Sequence, residues 1–442
     1  MKIAFIGGGS VLWTPKLVTD MALTEALSGA KLMLHDIDED SLNLLTRACK
    51  RISTQAGDRL EITATLDRTT ALRDANFVIL CVGIGGLSAM RNDLEIPEKY
   101  GIYQVVGDTV GPGGLARGLR HIPFAIQVAR EMEQLCPDAW MLNVTNPMTT
   151  ICRGVTQATG IRTIGLCHEV IGVKHHLADM FDTDIADITL DVGGINHLPV
   201  ILRCDINGRD GLTLVREWVS EHAPFSSLDQ VEVNNVFDVF VDRWAVKLTL
   251  FEQLGVLFGA GDRHVAEFFS GFLTEESEYG RRYGVLQTKV DQRQEMTRVR
   301  RASVEEFVNG APQKLERSDE QLAPVMAALV GGTQGRFVVN VPNQGQIENL
   351  PRDAVVECIA EIDSLGVHPL ACGQLPYEVQ GVLAGHVARQ ELIVEAALTG
   401  CRESALSALA TDPLMLNPMS VMPMLDELMV ANKPYIYSDG AY

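Results

Sequence analysis

The first apolar run, Lys2–Ile6, ends directly on Gly7-Gly8-Gly9-Ser10. A short apolar run closed by glycines predicts a buried strand and a tight turn. A helix-period stretch follows over Pro15–Leu27, then a second strand over Lys31–His35 that stops at Asp36. The rhythm returns further on. Phe77–Val82 runs into Gly83-Ile84-Gly85-Gly86, Trp140–Val144 into Thr145-Asn146-Pro147, and Thr163–Leu166 into Cys167-His168. Strands alternating with helices predict a parallel α/β sheet. Its polar clusters fall at the strands' carboxyl ends, where such sheets bind ligands.

From about Val170 the pattern turns helix-rich. Helices are predicted over 213–221, 233–254, 287–309, 319–329, 376–399 and 419–431, with strands over Arg336–Val341 and Ala354–Ile359. The expected division is a nucleotide-binding unit over 1–170 and a second domain over 171–442 that closes over the sheet edge. The 277–317 segment, rich in Arg, Gln and Glu, reads as a solvated helix face. No internal repeat or low-complexity linker interrupts the chain.

Strand, glycine turn, helix, strand and acid, in that order, make a dinucleotide site. Glycines let backbone N–H groups approach a pyrophosphate, and the helix N-terminus favours its charge. Gly7, Gly9, Ser10 and Gly83 are the candidate contacts. Asp36 is placed to accept from ribose hydroxyls, which favours NAD over NADP. Leu12 stands where a third glycine is usual.

Composition narrows the function classes. With 442 residues, 46% hydrophobic and 21% charged, the chain reads as a soluble protein of two packed domains. No apolar run reaches the roughly 18 residues of a membrane span, and a strand running straight into a glycine turn leaves no leader peptide at the start. A net charge of −20 disfavours nucleic acid and anionic membranes. It does not exclude an acidic sugar, since one local arginine outweighs a distant field. Nine scattered cysteines without CxxC spacing predict reduced thiols and a cytoplasmic location.

Further clusters are Val106-Gly107-Asp108-Thr109-Val110-Gly111-Pro112-Gly113-Gly114, Gly194-Ile195-Asn196-His197 after a strand over Ile188–Val192, and Gly261-Asp262-Arg263-His264. Together with the GGGS turn, LHDID around Asp36, NVTNPM, Cys167-His168-Glu169-Val170 and a late Val339-Asn340-Val341-Pro342-Asn343-Gln344-Gly345, they resemble the NAD- and metal-dependent family 4 glycoside hydrolases over nearly the whole chain. The resemblance implies an N-terminal Rossmann-like parallel sheet with a helix-rich α+β C-terminal domain, as in lactate and malate dehydrogenases. It also implies an unusual chemistry, unlike the paired carboxylates of most glycosidases. In that scheme NAD⁺ takes hydride from C3 of the sugar, a base removes the acidified C2 proton, the aglycone leaves C1 by elimination, water adds, and the hydride returns.

Residue roles follow from the same resemblance. Cys167 and His197 are the implied ligands of Mn²⁺, Asp262 the C2 base and Asp108 the general acid, which needs a raised pKa. Asn146 is implied to bond the O2/O3 region and His168 to line the sugar site. Cys-His-Glu-Val with GDRH looks most like the α-galacturonidase branch, and α-glucosidases and α-galactosidases remain open. A uronate calls for a bidentate arginine; Arg263 is the leading candidate, with Arg281 and Arg282 as alternatives. Leu198-Pro199-Val200 departs from the bulky aromatic that often follows GINH. Family members are commonly dimers or tetramers, so a homodimer or homotetramer acting on a small glycoside is expected. Two rival readings fit the residues less well. A 2-hydroxy acid dehydrogenase needs a histidine paired with an Asp-x-x-Arg site and no metal, and a non-catalytic NAD sensor has no use for a metal pair.

Overall fold

The computed structural model describes residues 1–225 and 235–436. Six strands, β1 (Lys2–Ile6), β2 (Ala30–His35), β3 (Leu60–Thr65), β4 (Phe77–Leu80), β5 (Trp140–Asn143) and β6 (Arg162–Gly165), pair in parallel in the order β3-β2-β1-β4-β5-β6. That is the strand order of the doubly wound dinucleotide-binding sheet. The later strands are β7 (Ile188–Ile195), β8 (Leu198–Ile206), β9 (Arg209–Asp210), β10 (Gly335–Pro342), β11 (Val355–Asp363) and β12 (Gly366–Pro369). β10 lies antiparallel to β6, with Asn340 opposite Gly165, and the sheet continues through β11, β7, β8 and β9, with β12 on β11. The sheet therefore runs on past residue 170.

Side chains alternate across the strands. Ile3, Phe5, Phe77 and Ile79 enter one core, Ala4, Ile6, Val78 and Leu80 the other. Both faces are buried, which is why these strands are apolar throughout. Helices 14–22, 39–55 and 322–329 supply residues to the first core. Helices 111–135 and 148–158 supply the second, together with helices 377–399, 402–410 and 421–432 from the far end of the chain.

Most predicted elements recur with shifted ends. The first helix stops at Ala22, and a 3₁₀ turn over Glu25–Leu27 finishes the segment. The helix expected over 233–254 is a helix only over Ala245–Leu254, preceded by a 3₁₀ turn at Asp238–Phe240; positions 233 and 234 lie outside the described residues. Helix Val290–Val308 is not wholly solvated as expected, because Val290, Met296 and Phe307 are buried. No helix among the described residues is long and apolar enough to cross a membrane.

Candidate active site

Gly7 turns the chain out of β1 at φ +94°, and a Cβ there would sit 1.9 Å from the Cys81 carbonyl oxygen. Only glycine fits. The Gly9 N–H donates to Asp36 Oδ2 at 2.8 Å, and Ile37 N–H and Asp38 N–H donate to Oδ1. Asp36 is thus fixed at the end of β2 with one acceptor position left on Oδ2. Ser10 caps the turn by accepting from the Trp13 N–H, and Leu12 stands half exposed beside it. Across the crevice a Cβ at Gly83 would meet open space. Free glycine backbone on two strand ends, an acid on a third and a helix N-terminus between them fit a dinucleotide.

The loop after residue 104 brings in the second group. Glu267 accepts from the Val106 and Gly107 N–H groups at 2.6 and 3.0 Å and from Gln104 Nε2 at 3.3 Å. Burial raises the Glu267 carboxyl to about 7. A Cβ at Gly114 would lie 2.4 Å from the Thr109 carbonyl carbon, so the glycines of this motif let helix 111–135 pack directly on the loop. Asp108 projects from it.

Asp108, His197 and His264 form a cluster whose ligating atoms all lie within 4.8 Å of one another. His197 is the last residue of the two-residue turn between β7 and β8, at φ +67°. A left-handed non-glycine residue costs about 1–3 kcal/mol and often marks a functional site. The Thr109 hydroxyl lies 2.8 Å from Asp108 Oδ1 and 2.9 Å from His197 Nδ1. If it donates to the carboxylate, His197 keeps its proton on Nδ1 and Nε2 has a free lone pair. The His264 ring, on the short helix Asp262–Val265, stacks on His197 with centroids 3.6 Å apart.

Charge states favour a cation here. Burial lowers His197 to about 3 and His264 to about 4, so both imidazoles are neutral at pH 7. Burial works to raise Asp108, but His264, His197, Arg117 and the Thr109 hydroxyl bring it well below the ordinary carboxylate range. One carboxylate and two neutral imidazoles are a donor set for a divalent transition metal. An ionised Asp108 suits a ligand better than the proton donor expected of it. Asn146, after β5, donates from Nδ2 to Asp108 Oδ2 at 3.2 Å, while its Oδ1 is buried without a partner. The cluster is thereby tied to the sheet edge from which the glycine turn emerges.

The other expected residues are placed differently. Cys167 is buried and outside the cluster; burial, then the fields of Glu357 and Glu169, push its thiol well above the ordinary value, and it meets the side chain of Asn196, next to His197. His168 stands between Glu320, at 3.2 Å from Nδ1, and Glu169, at 3.6 Å from Nε2, on the side of the glycine turn near Trp13. Asp262 accepts from the Val246 N–H on Oδ2 and from the Lys247 N–H on Oδ1, with Lys247 Nζ 3.2 Å from Oδ1. Arg263 is turned inward: Nη1 donates to the Val239 and Leu286 carbonyls and Nη2 to the Thr288 hydroxyl. These three bonds hold loops together and commit both Nη1 donors and one on Nη2. Arg281 and Arg282 lie in an unburied 3₁₀ turn, and Arg282 pairs with Glu278.

Sequence reasoning missed His264 as a cluster member, although GDRH displayed it, and missed Thr109 within GDTV. It also missed two arginines. Arg117 gives its Nε to the Asn146 carbonyl at 2.8 Å, and Arg293 comes from the helix expected to be solvated.

The sequence profile described as Family 4 glycosyl hydrolase matches residues 2–183, and that of the family's C-terminal domain matches residues 192–415. The chain belongs to family 4 of the glycosyl hydrolases. This family 4 enzyme is similar to the α-galacturonidase of Bacillus subtilis strain 168, 35% identical over 433 residues, covering 94% of this chain and 93% of that one. A crystal structure of lplD from Bacillus subtilis superposes with a TM-score of 0.90 at 33% identity, covering 97% of this chain and 99% of the other. The 6-phospho-α-glucosidase from gut microorganisms, solved in complex with NAD and Mn²⁺, shares the fold at a TM-score of 0.84 and 21% identity, covering 98% of both chains.

Proposed function

We propose that this family 4 hydrolase cleaves α-galacturonides by oxidation at C3 and elimination across C1 and C2, using NAD and Mn²⁺. One observation carries the chemistry: the half-buried Asp108–His197–His264 cluster is tied through Asn146 to the sheet edge that bears the glycine turn. The likeness to the α-galacturonidase of Bacillus subtilis supports the choice of sugar.

When bound, the nicotinamide would supply hydride transfer and the cation Lewis-acid stabilisation of the sugar oxygens. Gly7, Gly9, Ser10 and Gly83 shape the nucleotide crevice, and Asp36 uses its last acceptor position for a ribose hydroxyl. His197, Asp108 and His264 would hold the cation, and Cys167, outside that cluster, is the further ligand that the resemblance implies. Asn146 Oδ1, buried and unpartnered, accepts a hydrogen bond from a sugar hydroxyl. Asp262 takes the C2 proton. Three of its four acceptor positions are filled by Val246 and Lys247, and one on Oδ2 is left. Burial, with Asp242 opposing Lys247, lifts it to about 6, close to the working pH of a general base.

Residues 1–170 supply the nucleotide crevice together with Asp108, Asn146 and Cys167, and 171–442 supply His197, Asp262 and His264. We place the enzyme in the cytoplasm, where nine free cysteines stay reduced. We expect a homodimer or homotetramer, a reading supported by Leu416, Met419, Met422 and Val430, which stand exposed near the C-terminal helix.

The test is hydrolysis of p-nitrophenyl α-D-galacturonide and α-D-galactopyranoside, each with and without added NAD⁺ and Mn²⁺. Turnover of the uronide that needs both additions is expected. Activity that survives stripping of nucleotide and metal, or a preference for the galactoside, overturns the reading.

A further inference from the structure

Two buried cations of this chain, Arg120 and Lys247, are closed by carboxylates. Arg120 shows the pattern: its Nη1 and Nη2 meet both oxygens of Asp93 at 2.7 and 2.6 Å, and Asn432 adds a third bond. Arg293 breaks it. Its Nε is buried with no hydrogen-bond partner, and among the described residues the guanidinium is paired with no carboxylate. An unmet charged donor of this kind costs stability unless a ligand satisfies it.

Its position points to the sugar. The approach to helix 290–308 is pinned to the loop of Asp108, because the Thr288 N–H donates to the Val105 carbonyl at 3.2 Å and Gln287 Nε2 to the Gln104 carbonyl at 3.1 Å. Arg293 stands on the first turn of that helix. The charged groups whose fields reach it are Asp108 of the metal cluster, Arg117 and Glu267. Asp108 is committed to the cluster, and Glu267 to the loop N–H groups. Two other arginines near Asp108 already spend donors on the protein. Arg263 makes three bonds inward through its terminal nitrogens, and Arg117 gives its Nε to the Asn146 carbonyl.

We infer that Arg293 recognises the C6 carboxylate of the galacturonide, offering Nε–H and the neighbouring Nη–H as a side-on bidentate fork. This rests on the galacturonide reading above. A planar fork matches a carboxylate in a way that a lysine point charge does not. The neutral sugar, with a hydroxymethyl group at that place, leaves the fork unmet, and this gives discrimination and not only affinity.

Arg293→Gln and Arg293→Lys test the assignment, with kcat and KM for p-nitrophenyl α-D-galacturonide and α-D-galactopyranoside, and calorimetric binding of free D-galacturonate. For Arg293→Gln, kcat/KM on the uronide should fall about 10–100-fold, mainly through KM, with galacturonate binding weakened in parallel and the galactoside little changed. Arg293→Lys keeps the charge without the fork and should still lower the uronide-to-galactoside ratio. It decides the matter if the Gln variant melts several degrees early. Equal losses on both substrates, or an unchanged ratio in a parent that prefers the uronide, overturn the role of Arg293 alone. A parent that prefers the galactoside overturns the galacturonide reading, and Arg293 as its carboxylate contact with it.

Discussion

At the scale of single residues, the site is decided by which side chains are already satisfied. Asp262 and Arg263 are neighbours in the GDRH motif, yet Asp262 keeps a free acceptor position while Arg263 sends three bonds inward through its terminal nitrogens. The motif displayed both residues equally; only their partners separate them. His264, one residue on, gains its place from the stack on His197. Nothing in its sequence position distinguishes it from a surface histidine. If it is a ligand, His264→Ala should weaken Mn²⁺ binding by about 10–100-fold or more, since even outer-shell partners of a metal are worth that much. Cys167→Ser should weaken it as well, and NAD⁺ affinity should be unchanged in both. Mn²⁺ titration followed by electron paramagnetic resonance reads this directly. Parent-like Mn²⁺ affinity in His264→Ala reduces it to a packing partner of His197, and the same result for Cys167→Ser does so for the thiol.

At the scale of elements, the parallel strands were legible because burial on both faces forces apolar runs and glycine ends. The antiparallel half was less so. β8 begins two residues after β7 ends, and its Leu198-Pro199-Val200 start gave no alternation to read. Helix 290–308 was misread for the opposite reason: its Arg- and Gln-rich run hides three buried apolar positions, Val290, Met296 and Phe307. What joins β10, β11 and β7 below the metal cluster is a buried polar staple. Glu357 Oε2 accepts from Asn196 Nδ2 at 2.8 Å and Asn340 Nδ2 at 3.0 Å. Burial raises this carboxyl from 4.5 to about 7. The folded state therefore holds the proton longer than the unfolded chain, and the contribution to stability is greatest below about 4.5 and declines as pH rises through about 7. Glu357→Gln fixes the neutral state. Its melting midpoint, set against the parent's in metal-free protein, should improve from pH 5 to about pH 7 and then level off, by an effect on the order of 3 kcal/mol at most. A difference that stays level across this range means that Glu357 is ionised throughout.

At the scale of the whole molecule, a net charge of −20 repels an anionic sugar from a distance. The arginines near Asp108 act only within the site, where screening is weak. Closing that site is a task for both halves of the chain, since Asp108 and Asn146 come from the first and His197, His264 and Asp262 from the second. A continuous sheet holds the halves in one register, through β6 and β10. The proposed chemistry oxidises and deprotonates the sugar at adjacent carbons, and that is testable without knowing the natural aglycone. If C3 oxidation precedes elimination, the C2 hydrogen must leave, and solvent deuterium should appear at C2 of the sugar released in D₂O. Direct displacement at C1 never breaks that bond. Asp262→Asn removes the proposed base with little change of shape. It should slow proton loss by roughly 10²–10⁴ while nucleotide binding persists, and NADH should accumulate if oxidation runs ahead of the blocked step. Mass spectrometry or NMR of the product reads the isotope, and absorbance at the reduced nicotinamide band reads the stalled intermediate. Product with only hydrogen at C2, from enzyme shown to turn over in D₂O, ends the elimination mechanism and returns the cluster at Asp108 to a task other than acidifying that proton.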